Sequence, residues 1–251
     1  MIERDQLVSY LNQLLEVGKF QDYCPNGLQV EGKSAIRKIV TGVTACQALL
    51  DKAVELKADA VLVHHGYFWK NEAPQVVGLK HNRLKTLLTH DINLLAYHLP
   101  LDAHPELGNN GQLAKILEID AIGPFSENDQ ARGLYGRLKQ AMSVEELSQF
   151  IAKKLNRQPL MIAGAKSKIE TIAWCTGGAQ SLIDQAHLKG VDAYLSGEVS
   201  ESTYHFAKEM GIAYIGAGHH ATERYGVKAL SEHLAEKFDV KCQFIDIDNP
   251  V

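Results

Sequence analysis

Three short segments of this sequence gather imidazole and carboxylate groups at the ends of apolar runs. They are VLVHHG, with His64 and His65; AYHLPLDAH, with His98, Asp102 and His104; and GAGHHATE, with His219, His220 and Glu223. Imidazole and carboxylate together suit Zn, Fe, Mn or Ni. A carboxylate bridging two ions is a common device of two-metal sites about 3.5–4 Å apart. Five candidate ligands, His64, His65, Asp102, His219 and Glu223, exceed what one tetrahedral site takes and are too few to close two. Such a set leaves open positions, which marks a catalytic centre and not a structural one. Ions held there would lower the pKa of water to about 7 and so supply a nucleophile at neutral pH.

The spacings constrain how these groups meet. Adjacent residues on a regular strand point to opposite faces. His64 and His65 therefore share one site if the chain leaves β geometry at Gly66, or if the site holds two metals. His219 and Glu223 are four apart at a helix start and share a face. His98-x-x-x-Asp102 and His219-x-x-x-Glu223 occupy matching places, each closing a strand. Each group also has a plainer reading: Asp102 as the cap of the following turn, Glu223 as a first-turn carboxylate favoured by the helix dipole. His98 and His104 read as proton shuttles, as partners behind a ligand, or as structural residues. Glu198, in SGEVSESTYH, stands where the second half of the chain matches His64 and His65, and reads as an acid or base lining the cleft or as a solvated carboxylate. His81, His90, His187 and His233 read as ordinary hydrogen-bonded residues. Gly177 and Gly178, between a strand and a helix, are a weak candidate for an anion-binding turn.

The elements that must position these groups come from an internal duplication. Displacing the sequence by 133 positions sets Lys33–Leu62 over Lys166–Leu195, with identities at Lys33/Lys166, Ser34/Ser167, Ile36/Ile169, Ile39/Ile172, Gln47/Gln180, Leu49/Leu182, Asp51/Asp184, Ala53/Ala186, Asp59/Asp192, Ala60/Ala193 and Leu62/Leu195. Unrelated segments of that length would share roughly two. Each copy reads as strand, helix, strand, with strands at 36–43 and 60–63 in the first and at 169–175 and 193–195 in the second. Both continue through a polar helical stretch into a strand, 92–97 and 212–216, and then a helix. A helix precedes each copy, with Leu7, Leu11, Leu14 and Leu15 in one and Leu147, Phe150, Ile151 and Leu155 in the other. The fold class is α/β, built as two pseudo-symmetric repeats over residues 1–125 and 126–251. Their junction is expected in the Gly-, Pro- and acid-rich stretch 121–133. Strand 242–245 is expected to extend one sheet at an edge. Ligand sites in open α/β sheets form beyond the carboxyl ends of the strands, which is where the histidines fall.

Composition excludes several classes. The chain has 251 residues, 45 % hydrophobic and 22 % charged, with a net charge of -4. No stretch approaches the ~18 apolar residues of a membrane span, and Glu3, Arg4 and Asp5 stand where a signal peptide needs an apolar core. A cytoplasmic protein without membrane contact is expected. The acidic balance gives no general attraction for nucleic acid. Cys24, Cys46, Cys175 and Cys242 lie far apart and read as reduced thiols.

The segments DYCPNGLQVEG, VLVHHG, HLPLDAH, TGGAQ, LSGE and GHHATERYG together resemble the type 2 homologues of GTP cyclohydrolase 1, the Nif-three-like family, over essentially the full length. The resemblance implies two repeated α/β units with mixed sheets, a dinuclear divalent metal site between them, and a ring-shaped homohexamer. It implies that His65 and Asp102 bind one metal, His64 and His219 the other, and that Glu223 bridges them. The expected cofactor is two divalent ions per chain, of Fe, Mn, Zn or Ni. The expected activity is a two-metal hydrolase acting on a nucleotide or related heterocycle, with His98 or Glu198 as proton carrier. A phosphoesterase would use the same site with another leaving group. A metal-binding scaffold or regulatory ring without turnover is the alternative from a different class.

Overall fold

The computed structural model describes residues 1–126 and 133–251. Residues 127–132, part of the expected junction, lie outside the described residues. The chain forms two compact units, the first Met1–Gly108 with Gly226–Asp248, the second Asn109–Tyr225 with Asn249–Val251. The reading of the duplication set the divide at 125/126, whereas the structure draws it at 108/109 and returns the chain to the first unit within helix His219–Lys237. The reason is packing: Val227, Leu230 and Leu234 are fully buried against Leu7, Leu11 and Ile39.

The first unit is built on a five-stranded sheet. Its strands run, from one edge to the other, Lys241–Phe244, Lys38–Thr44, Ala60–His65, Asn93–Ala96 and Gly27–Val30. All neighbours are parallel except Gly27–Val30, which runs antiparallel to Asn93–Ala96. The alternation of strand side chains divides the core between the two faces. Ile39 and Val43 join Leu7, Leu11 and Leu230 on one face, while Val40 packs with Leu49, Leu50, Ala53 and Leu87 on the other. The strand expected at 242–245 sits at Lys241–Phe244, on the edge next to Lys38–Thr44.

The second unit repeats this plan in a six-stranded sheet ordered Ile119–Pro124, Leu134–Met142, Ile169–Trp174, Ala193–Ser196, Ala213–Gly216 and Leu160–Ile162. The repeat is kept to the residue: Ile39 pairs with Ala60 in the first unit, and Ile172 with Ala193 in the second, both parallel. The identities at Lys33/Lys166 and Asp59/Asp192 have a physical cause. Asp59 accepts the backbone N–H groups of Arg37 and Lys38 and pairs with Lys33, and Asp192 does the same for Glu170, Thr171 and Lys166. In each unit one carboxylate, half-buried at Asp59 and buried at Asp192, ties the start of one strand to the approach of the next. Helix Val144–Leu155 is opened by a reciprocal cap between Ser143 and Glu146 and buries Leu147, Ile151 and Leu155.

The stretch 121–133, expected as a linker, begins within a strand. Ile119–Pro124 runs antiparallel to Leu134–Met142 at the sheet edge. Most of the edge strand's side chains face solvent, so its composition is that of a loop. No helix among the described residues is long and apolar enough to cross a membrane.

Candidate metal centre

In the first unit, the carboxyl end of strand Ala60–His65 brings three imidazoles together. Ligand nitrogens of His64, His65 and His98 lie within 4.8 Å of one another. The rings of His64 and His65 are 4.5 Å apart, so the two adjacent side chains share one end of the sheet. Regular β geometry stops there: His65 is the last strand residue and Gly66 follows. A Cβ on Gly66 would lie 2.2 Å from Oε1 of Gln29, a group that clamps the Tyr67 backbone through both its N–H and its carbonyl.

His64 is fully buried, and its Nδ1 lies 2.9 Å from the carbonyl oxygen of Tyr97. A carbonyl only accepts, so Nδ1 carries the proton and Nε2 the lone pair. That Nε2 faces Oδ1 of Asp102 at 3.5 Å. An imidazole lone pair opposite a carboxylate is reconciled by a cation or a second proton, and a backbone-held Nδ1–H is the usual support of a metal-ligating histidine. Asp102 is buried within helix Leu99–Ala103. The donor set therefore fits a divalent ion. His65 is hydrogen-bonded through Nδ1 to the Thr44 hydroxyl at 3.2 Å.

His98 is held by a residue that sequence reasoning did not single out. Its Nδ1 donates to Oδ1 of Asp22 at 2.7 Å, and its backbone N–H donates to Asn26. Asp22 also accepts from Asn26 and from the N–H groups of Tyr23 and Leu99. Burial alone would raise the Asp22 pKa, but the hydrogen bond and charge of His98, with Asn26 and the Tyr23 N–H, pull it down to about 2. Asp22 opens the DYCPNG segment, so the motif was visible while its role was not. Cys24 completes a group with Asp22 and His98, but burial, reinforced by the Asp22 charge, pushes its thiol up to about 12 and keeps it protonated. The Nδ1 of His104 accepts the N–H groups of Glu106 and Leu107 and shapes the turn after the helix.

In the second unit, His219 stands between two carboxylates. Its Nδ1 lies 2.7 Å from Oε1 of Glu198, and its Nε2 lies 3.1 Å from Oε2 of Glu223. Burial would lower the His219 pKa, but Glu223 and then Glu198 raise it to about 9. Glu198 thus backs His219. Glycines surround the group because there is no room for a side chain. A Cβ on Gly177 would fall 2.0 Å from Oε1 of Glu223, and one on Gly197 would fall 2.6 Å from the His219 Cα. Gly177 is therefore packing for the carboxylate and not an anion-binding turn, and its N–H donates to the Thr222 hydroxyl. His220 is buried, and its N–H donates to the carbonyl of Val251.

The remaining histidines sit apart from these groups. His81 and His90 are exposed, His187 meets Phe206 edge to face, His205 is exposed and meets Tyr204 edge to face, and His233 bonds the Tyr10 hydroxyl at 2.5 Å.

The profile of the Duf34/NIF3 family (NGG1p interacting factor 3) matches residues 2–250. A Pseudomonas aeruginosa protein named GTP cyclohydrolase 1 type 2 homolog is 57 % identical over 245 residues, covering 97 % of both chains. An Escherichia coli K12 protein of the same name is 53 % identical over 250 residues, covering 99 % of this chain and all of that one. Among solved structures, protein ybgI, of unknown function, superposes with a TM-score of 0.97 at 52 % identity and full coverage of both chains. TTHA1606 from Thermus thermophilus gives 0.91 at 36 % identity, also with full coverage.

Proposed function

Because this chain belongs to the Duf34/NIF3 family, we propose that it is a dinuclear metal-dependent hydrolase acting on a nucleotide or related heterocycle. His65 and Asp102 would hold one divalent ion, His64 and His219 the other, and Glu223 would bridge them. The observation that carries the reading is the Nδ1–H of His64 held by Tyr97, which turns the lone pair of Nε2 toward Asp102 at 3.5 Å. When bound, such ions supply Lewis acidity and lower the pKa of water to about 7.

The chain's own residues supply orientation and proton movement. Asp22 accepts from Nδ1 of His98, which leaves Nε2 of His98 to take up or deliver a proton beside His64 and His65. Glu198 holds Nδ1 of His219 and leaves Nε2 directed at Glu223. This makes Glu198 a positioning group, and the proton carrier of the proposal is His98. A homohexamer is part of the proposal and is decided by sedimentation velocity.

The test is elemental analysis of the purified protein beside His64→Ala and Glu223→Gln, with hydrolysis of a nucleotide panel measured for each. Two metals per chain in the parent, lost in the variants together with turnover, support the proposal. Release of phosphate alone makes it a phosphoesterase. A full metal load without turnover favours the scaffold or regulatory reading.

A further inference from the structure

Two aromatic side chains border the histidine cluster of the first unit and have no part in the chemistry above. The indole of Trp69 meets His98 at 5.0 Å between ring centres, nearly perpendicular, and meets His65 at 5.9 Å. Tyr23 meets His98 at 6.5 Å and is 62 % exposed. The segments that carry them are fastened to each other, since the N–H of Lys70 donates to the carbonyl of Tyr23 at 2.6 Å. Trp69 is fixed further by its indole N–H on the Gly66 carbonyl at 3.2 Å, and by Gln29 gripping Tyr67 two residues earlier. Phe68, beside it, is held at a φ of 64°, a conformation rare for a bulky residue. These rings are preorganised around polar groups and are only partly covered by protein.

Exposed or half-exposed aromatic faces next to convergent polar side chains are the usual lining of a small-molecule site. Beside the aromatic side chains stand the imidazoles of His65 and His98, and the Asp22 carboxylate is held behind His98 at 2.7 Å. A planar ring gains from both features, with its π-face on the aromatic side chains and its polar edge toward the imidazoles. We infer that Trp69 and Tyr23 form a stacking platform that seats the ring of a planar nitrogen heterocycle against His65 and His98. The inference rests on the proposed function for its substrate class and names the residues that select it.

Fluorescence provides a direct test, because the chain has two tryptophans and Trp174 is fully buried. Guanosine monophosphate is titrated into the intact protein with ribose 5-phosphate as the base-free control. Saturable quenching by the nucleotide and none by the control is expected. Trp69→Leu abolishes the quenching, and calorimetric titration of that variant and of Tyr23→Ala gives a Kd raised about tenfold, the scale of one base stacked on an aromatic side chain. Trp69→Phe and Tyr23→Phe keep affinity within about threefold, since a ring remains. Equal binding of ribose 5-phosphate, or unchanged affinity in Trp69→Leu and Tyr23→Ala, overturns the platform. The readout needs no turnover: quenching without hydrolysis keeps the platform and removes the reaction, while hydrolysis at an unchanged KM in Trp69→Leu keeps the reaction and removes the platform.

Discussion

The Nδ1 atom of His64 lies 2.9 Å from the carbonyl oxygen of Tyr97, and this one bond decides which nitrogen of a fully buried imidazole faces Asp102. Nitrogen chemical shifts of the metal-free protein should therefore show His64 protonated at Nδ1 and bare at Nε2. The opposite tautomer would remove the argument for a ligand at Nε2. His64→Ala and Asp102→Asn are each expected to weaken metal binding at least tenfold in competition with a chelator.

Glu198 is expected to act on metal affinity through His219, which it contacts at 2.7 Å. Glu198→Gln should lower affinity by about 10–100-fold, the range seen when the partner behind a ligating histidine is removed. An unchanged affinity with slowed turnover would instead return Glu198 to the role of proton carrier.

Gly177 tests how tightly the second unit is built around Glu223. Its φ is +67° and a Cβ would fall 2.0 Å from Oε1 of Glu223. Gly177→Ala should cost about 2–4 kcal/mol in urea unfolding, combining the left-handed penalty with overpacking. Gly190 has a φ of +80° but open space where a Cβ would stand. Gly190→Ala should cost only about 1–2 kcal/mol, the left-handed penalty alone. Equal losses at both positions would mean that contact with Glu223 adds nothing.

The duplicated carboxylates predict a pH dependence of stability. For Asp59 and Asp192, burial raises the pKa, but the paired lysine and the backbone N–H groups of the neighbouring strand outweigh it and leave both below the ordinary value. A carboxylate depressed in the folded state contributes stability that is fully present above its unfolded pKa of about 3.9 and is lost as pH falls through the folded pKa. Thermal unfolding from pH 6 down to pH 2 should show this loss below about pH 4. Asp59→Asn and Asp192→Asn should each be less stable at neutral pH and show a flatter decline in acid. A decline identical to the parent's would exclude these two groups as its source.

Much of the fold was legible because its signals are local or repeated. Alternating and helical apolar spacing located the central strands and helices, and the displacement by 133 residues located equivalent positions such as Ile39 and Ile172, whose partners Ala60 and Ala193 are also equivalent. The ends of those strands marked His64, His65, Asp102, His219 and Glu223 as candidates, since chemistry-bearing side chains at strand ends are visible in sequence. The short edge strands Gly27–Val30, Leu160–Ile162 and Ile119–Pro124 carried no such signal. These three are three to six residues long and partly solvated, so their composition is that of a loop.

Only the tertiary structure decided what stands behind each candidate side chain. Asp22 lies 76 residues from His98 in sequence, and Glu198 lies 21 from His219, yet each carboxylate is 2.7 Å from its imidazole. The duplication likewise gave no reason to expect that residues 226–248 belong with the first unit. Periodicity records which face of an element is apolar, but not which distant element covers it. That choice is made by packing and by the need of every buried polar group for a partner, and both act on the folded chain as a whole.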